Sequence, residues 1–181
     1  MSSVFDPAHL DVLAFARAGA LLQGQTPAAA WPRLCEQGPL ALTQDPPPLV
    51  SWRLQGRVKA ETGGAEQVWL SVQAEVSWPM SCQRCLAPAQ LPVAVDRSLR
   101  FVADEETAAR LDEELEEDVL VWSRDLDALA LIEDELLLEW PLVPLHDQCP
   151  EPLPAPVQER FGKLMVRVLV PLATANVGPV K

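Results

Sequence analysis

Residues 68–101 read VWLSVQAEVSWPMSCQRCLAPAQLPVAVDRSLRF, and this stretch decides the fold of the chain. Apolar residues alternate with mostly polar ones from Val68 to Trp78, and the alternation resumes from Leu91 to Phe101. Strict alternation is typical of strands that bury one face of a sheet. We therefore predict two neighbouring strands, with the CQRC motif at the turn between them.

Further strands flank this pair. Residues 49–60 alternate loosely, and the turn-forming segment 61–64, ETGG, joins them to the strand that starts at Val68. Residues 104–118 hold nine acids and one arginine, a composition of a solvated loop or a marginal helix. Val119 to Trp122 can form one more short strand. The pattern predicts an antiparallel sheet at the centre of the fold.

Two helices accompany the sheet. Asp6 can cap a helix whose first turn contains a proline and whose apolar residues recur at helical spacing, which predicts a helix over 7–18. Asp125 can cap a second helix over 126–139, which ends before Pro141. The predicted fold class is α+β, with an antiparallel β-sheet core, an N-terminal helix and a helix near residues 126–139.

The length of 181 residues suits one domain that buries its own core. We assign residues 1–150 to that domain, with an acidic segment at 104–118. Prolines at 150, 152, 154 and 156 indicate an extended linker. Residues 151–181 are therefore assigned to a proline-rich linker and a C-terminal tail, in which Phe161 to Val170 forms either a short strand or a helix.

The charge of the chain is negative and concentrated. Fourteen basic side chains stand against 26 acidic ones, for a formal charge of −12, and 15 of the acids lie within residues 104–139. This balance argues against a protein that neutralises the phosphates of DNA or RNA with a basic face, and suits the attraction of a cationic partner. No stretch has the pattern of a membrane span or a targeting signal, so we expect a cytoplasmic protein without membrane contact.

A direct RNA contact would need the few basic side chains of the sheet to gather on one face. These are Arg53, Arg57, Lys59, Arg97 and Arg100. The first three share parity along one strand, whereas Arg97 and Arg100 do not. The six tryptophans fall mostly on predicted strands or at element ends, which favours packing over base stacking.

Two short motifs carry the candidate site: CQRC at 82–85, on the predicted turn, and HDQC at 146–149, after the second predicted helix. Together they supply the Cys3His donor set of a closed, structural zinc site, made of Cys82, Cys85, His146 and Cys149. Such a site would join the helix exit to the sheet. The alternative is that the CQRC thiols are simply buried in a turn and that the histidine is an ordinary surface residue. Cys35 has no partner motif, which favours a small buried apolar side chain.

An enzymatic use of CQRC is the alternative function. A redox-active pair uses a helix N-terminus to lower the thiol pKa, and Pro88 and Pro92 follow the motif instead. A zinc deaminase needs an H-x-E glutamate and a proline directly before its first cysteine, and the chain has neither. A phosphate-binding glycine loop and a G-x-S-x-G elbow are missing as well. We therefore predict no catalytic residues, with a thiol- or zinc-dependent enzyme as the alternative.

Several motifs occur in a fixed order along the chain. They are SCQRCLAP at 81–88, the helical segment 125–138, PLVPLH at 141–146 with Cys149, and near the N-terminus FDP at 5–7, LQG at 22–24 and RL at 33–34. In this order and spacing they resemble the bacterial YceD family. The likeness spans most of residues 5–150. The tail from Val157 to Lys181 departs from the family pattern, so nothing is carried onto it.

The resemblance implies a non-enzymatic factor in large-subunit ribosome biogenesis that supports the synthesis, processing or stability of 23S ribosomal RNA. It also implies a metal site at Cys82, Cys85, Cys149 and His146. Because the chain is acidic, we expect it to act on a basic ribosomal protein or on the pre-ribosomal large subunit through residues 104–139, with indirect contact to RNA and none to DNA.

Overall fold

The computed structural model describes residues 5–60, 66–114 and 118–150. A five-stranded sheet in the order β1-β2-β3-β4-β5 forms its centre. The strands are β1 Leu21–Pro27, β2 Leu49–Lys59, β3 Gln67–Ser81, β4 Pro88–Val102 and β5 Val119–Val121. The first four pair antiparallel, and β5 joins β4 in parallel.

Four α-helices surround the sheet within the described ranges. They are α1 Val12–Arg17, α2 Pro32–Gln37, α3 Glu105–Glu114 and α4 Ala128–Leu138, with single 3-10 turns at Ala28–Ala30 and Pro39–Thr43. The predicted α+β class, with an N-terminal helix and a helix inside 126–139, is confirmed. None of the helices in this part of the chain is long and apolar enough to cross a membrane.

The sheet has one covered and one open face. Even-numbered residues of β3 from Val68 to Trp78 point to what we call the inner face, and all of them are buried. The outer face carries the odd-numbered residues of β3 and their cross-strand partners, which are mostly polar. The alternation predicted for β3 and β4 is therefore confirmed.

Helices α1, α2 and α4 cover the inner face. Gly56 of β2 allows α1 to approach closely, because a Cβ at this position would lie 2.7 Å from the Phe15 ring and from the Ala16 backbone. Trp78 lies under the α2 region, where its indole N–H donates to the Gly38 carbonyl at 2.9 Å. Trp31, Trp69 and Trp78 are buried and Trp52, Trp122 and Trp140 are partly buried, so the tryptophans pack as predicted.

The helix starts differ from the predictions. The first helix begins at Val12 and not at residue 7, and its cap is Asp11, whose carboxylate accepts from the Ala14 N–H at 2.9 Å. Asp6 instead accepts from the Ala8 N–H, which closes a turn before the helix. Helix α4 begins at Ala128, and its N-cap is Asp127 and not the predicted Asp125.

Two elements were absent from the sequence interpretation, and other predictions fall on undescribed residues. Strand β1 pairs with β2 along its full length, and α2 packs against α4. The acidic segment 104–118, predicted as a loop or marginal helix, forms α3 over ten residues. The predicted turn at 61–64 and the tail 151–181 lie outside the described residues.

Candidate metal centre

The turn between β3 and β4 holds the first ligand pair. The Cys82 N–H donates to the Ala87 carbonyl at 3.0 Å, and the Leu86 N–H donates to the Cys82 carbonyl at 2.8 Å. Leu86 adopts φ 62°, a left-handed conformation that is uncommon for a side chain of this size. The tight turn directs the sulfurs of Cys82 and Cys85 to the same side.

The second pair reaches this turn from the end of α4. Pro141 prevents the helix from continuing, and the chain then passes the CQRC turn, where the Gln83 N–H donates to the Pro144 carbonyl at 2.8 Å. This backbone bond places His146 and Cys149 beside the first two cysteines. The chain between Pro141 and Pro144 is otherwise loosely packed, because Leu142 is 99% exposed.

The structure brings together the four site residues that the sequence predicted. Their ligand atoms all lie within 4.8 Å of one another. Cys82 Sγ lies 3.9 Å from Cys149 Sγ, and Cys85 Sγ lies 3.4 Å from His146 Nδ1. A tetrahedral zinc ion with bonds of about 2.0–2.3 Å needs ligand atoms about 3.5–3.8 Å apart. The donor set and its spacing therefore fit a four-coordinate metal ion.

The histidine is oriented as a metal ligand requires. Its Nδ1 faces Cys85, and its Nε2 lies 3.0 Å from the Pro88 carbonyl. A proton on Nε2 donates to that carbonyl and leaves Nδ1 as the acceptor that binds a metal. This carbonyl and that of Pro144 support the site, and sequence reasoning missed both because any residue can supply a backbone oxygen.

The electrostatics of the cluster favour one preformed thiolate. Burial raises the pKa of the Cys82 thiol, but the backbone N–H groups of His146, Cys85 and Arg84 stabilise its sulfur and lower the pKa to about 5. Burial, together with hydrogen bonds to Cys85 and Cys82, raises the pKa of Cys149. Cys82 is therefore the first anionic ligand, and Cys149 loses its proton as a cation binds.

The arrangement favours a structural role over thiol chemistry. Cys82, which has the lowered pKa, is 0% exposed and offers no access to a substrate. With three thiolates and an imidazole, a tetrahedral ion has no open position for a substrate or a water molecule. Cys35 lies apart from the cluster, buried as predicted, and its Sγ donates to the Ala28 carbonyl at 3.1 Å.

Much of the acidic region serves the fold itself. Arg33 binds Glu133 and Asp134, and Arg97 lies within 4.0 Å of acids from three places in the region, namely Asp118, Glu135 and Glu139. Asp125 binds His9 at 2.6 Å and raises the pKa of its imidazole, through a hydrogen bond first and charge second. Residues 118–139 are therefore largely committed to internal contacts.

Helix α3 carries the exposed acids that remain. Glu105, Glu106, Asp112 and Glu113 are exposed and form no ion pair with other described residues, whereas Glu114 pairs with Arg110 at 3.3 Å. The surface suited to a cationic partner is thus narrower than the predicted 104–139.

Four of the five basic residues of the sheet lie on one face, as a direct RNA contact would require. Arg53, Arg57 and Lys59 lie on the outer face, and Arg100 lies opposite Trp69 on the same face. Arg97 pairs across from Val72 and points to the inner side.

The sequence model of the family described as Large ribosomal RNA subunit accumulation protein YceD matches residues 70–162, about half of the chain. The chain belongs to the YceD family. The YceD match begins within β3 and includes all four ligand residues of the candidate metal centre. No solved structure matches the chain.

Proposed function

We propose that this YceD protein is a non-enzymatic, cytoplasmic factor in large ribosomal subunit biogenesis that supports the synthesis, processing or stability of 23S ribosomal RNA. The family match carries the proposal, because the family description names accumulation of the large-subunit RNA and no reaction. The buried thiolate at Cys82 and the closed donor set support a protein that binds rather than catalyses.

The Cys3His cluster holds a structural zinc ion in this proposal. Zinc suits three thiolates and an imidazole at tetrahedral spacing. When bound, the ion neutralises the thiolates and joins the segment after α4 to the β3–β4 turn. The protein's own groups prepare the site, since the Pro88 carbonyl orients the imidazole and backbone N–H groups stabilise the Cys82 sulfur.

The partner is a basic ribosomal protein of the pre-ribosomal large subunit, which contacts the exposed face of α3. Glu105, Glu106, Asp112 and Glu113 supply negative charge that internal arginines do not neutralise. Such a surface attracts a cationic chain at long range and raises the association rate at low salt.

Complementation tests the function. In cells that lack the gene, we expect 23S ribosomal RNA to fall relative to 16S, and the wild-type gene to restore it. Cys82→Ser should fail to restore it, and its purified protein should lose bound zinc. Cys35→Ser is the matched control, because that thiol lies outside the cluster, and it should complement. Normal 23S levels in the deletion strain would exclude the function.

Association kinetics test the partner. Replacing Asp112 by Asn and Glu113 by Gln should slow binding to purified basic ribosomal proteins and reduce its salt dependence. Glu36→Gln with Glu75→Gln removes the same charge elsewhere on the surface and should leave the rate nearly unchanged. Equal rates for the two double variants would contradict the assignment to α3.

A further inference from the structure

Three basic side chains form a row on the outer face of the sheet. Arg53, Arg57 and Lys59 are exposed and belong to one strand, β2; Gln55 lies among them on the outer face, and the residues at even positions between them face inward. At about 3.3 Å per residue the row is about 20 Å long. A strongly acidic protein thus presents a line of positive charge on its open sheet face.

No described carboxylate neutralises these charges. Most other basic residues of the described chain form ion pairs, namely Arg17, Arg33, Arg97 and Arg110. Within the same described ranges, none of the three β2 side chains has a carboxylate partner. Arg57 donates to Gln55 at 2.9 Å, and Lys59 Nζ lies 3.9 Å from the centre of the Trp69 ring.

Protection of a sheet edge does not explain the whole row. Exposed strand edges often carry lysines that discourage pairing with another chain. Arg57 and Lys59 lie beyond the last pair with β1, where β2 pairs with β3 alone, but Arg53 is paired on both sides, with Gln23 of β1 and Gln73 of β3. The three side chains project from the face of the sheet into solvent.

The acids of the outer face lie at the other end of the row. Arg57 faces Trp69 across the sheet and Lys59 faces Gln67, so these two positions have no carboxylate as cross-strand neighbour on β3. Glu75 pairs with Ser51, beyond Arg53, and Asp96 lies two strands from Arg53 and accepts from Gln73 at 3.2 Å. Glu66, next to Gln67, is bound by Arg17 at 3.0 Å. Among the described residues, positive charge is thus least compensated by carboxylates around Arg57 and Lys59.

A shallow groove crosses strands β1 to β4 at the Arg53 end of the row. It has a volume of about 680 Å³ and is lined by the amides of Gln23 and Gln73 and by the carboxylates of Glu75 and Asp96. Amides donate to the phosphates and sugars of a nucleic acid, whereas the carboxylates repel phosphate, so the phosphate contacts extend from Arg53 towards Arg57 and Lys59 and not along the groove. Trp69 is only 7% exposed and is covered by Lys59, so the face offers no free ring for base stacking.

We propose that Arg53, Arg57 and Lys59 on β2 bind the phosphate backbone of single-stranded RNA, without sequence preference. This surface contacts RNA directly, whereas α3 contacts a ribosomal protein. The proposal rests on the proposed function only for the identification of the RNA as ribosomal. Charge complementarity selects a polyanion, and a row that follows one strand suits an extended chain of phosphates.

The salt dependence of binding tests the row. We would titrate the full chain against a fluorescein-labelled 20-nucleotide poly-U RNA and follow fluorescence anisotropy. Three phosphate contacts predict that log K falls with log salt at a slope of about −2, which is a loss of roughly 15-fold between 50 and 200 mM salt. The triple variant Arg53→Gln, Arg57→Gln, Lys59→Gln should bind more than tenfold less tightly at 50 mM, with a flatter slope.

A second triple variant controls for net charge. Arg84→Gln, Arg110→Gln and Arg124→Gln remove the same charge away from the row and should keep the wild-type slope. Loss of RNA binding in the β2 variant, with association to ribosomal proteins retained, supports the row and shows that the variant is folded. Absence of wild-type binding at 50 mM salt, or equal binding by both triple variants, would overturn the proposal without affecting the complementation result.

Discussion

Glu135 is a carboxylate that the fold buries, although an ionised carboxylate is more stable in water. Glu135 is 9% exposed, and burial raises the pKa of its carboxyl group. Arg97, 3.9 Å away, opposes this rise, but Asp118, Asp134 and Glu139 add to it. The folded state therefore favours the protonated form more than the unfolded state does.

Glu135→Gln is expected to stabilise the protein at neutral pH. A raised folded-state pKa means that the contribution to stability is present below the unfolded value of 4.5 and is lost as the pH rises through the folded value. The ionised group is thus unfavourable at pH 7, where the variant should have the higher Tm. Below about pH 4 the carboxyl is protonated in both states, and the gain should vanish.

Glu139→Gln serves as the control for this experiment. Glu139 also accepts from Arg97, at 3.1 Å, but it is exposed, so its substitution should bring no gain in Tm at pH 7. A lower Tm for Glu135→Gln than for wild type at pH 7 would show that attraction to Arg97 outweighs burial.

At the scale of elements, helix α2 depends on a side chain from another helix. Trp31, at its N-cap, makes no side-chain hydrogen bond to the first turn of the helix. Glu133 of α4 acts in its place, because its Oε1 accepts from the N–H groups of Arg33 and Leu34 at 2.8 and 3.1 Å. Its Oε2 accepts from the Arg33 guanidinium at 2.9 Å.

Glu133→Ala should therefore separate α2 from α4. Glu133 is 4% exposed, so the substitution leaves buried N–H groups without an acceptor and should cost about 3 kcal/mol in the free energy of unfolding. Urea denaturation measures this cost. Asp134→Ala removes the exposed partner of the same arginine and should cost less than about 1 kcal/mol. Similar costs for the two variants would contradict the capping role.

Two elements, β1 and α2, were not predicted from the sequence, because each is stabilised by a partner that is distant in sequence. Strand β1 contains Gly24 and two glutamines, a composition with weak strand propensity. It forms because its backbone pairs with the free edge of β2. Helix α2 has six residues, too few to be stable alone, and its cap comes from α4. The strands β3 and β4 were predictable because their alternation is written in consecutive residues.

At the scale of the whole molecule, the four donor residues of the candidate metal centre were predictable from the sequence, but their surroundings were not. Regular spacing within CQRC and HDQC marked the four donors. The backbone bonds that bring the motifs together, such as Gln83 to Pro144, depend on tertiary structure and leave no residue signature. The ion pairs formed by the acids of 118–139 could not be predicted from the sequence for the same reason, because Arg33 and Arg97 are far from these acids along the chain.

Removal of the metal should loosen one corner of the molecule and leave the rest folded. The segment after α4 has little packing of its own, because Leu142 is 99% and Val143 59% exposed. Its described ties to the β3–β4 turn are the ligand cluster and a few hydrogen bonds. The sheet and helices α1, α2 and α4 share a separate core, which contains none of the four cluster residues.

Hydrogen exchange before and after chelation tests this layout. The amides of Gln83 and His146 should lose protection in the chelated protein, because without the ion only a few hydrogen bonds hold the segment after α4 to the turn. Amides on the far side, such as those of Gly56 and Leu126, should keep theirs, and added zinc should restore protection at the turn. Uniform loss across the sheet would mean that the ion supports the whole fold. Unchanged exchange at Gln83 would mean that the cluster binds no ion in solution.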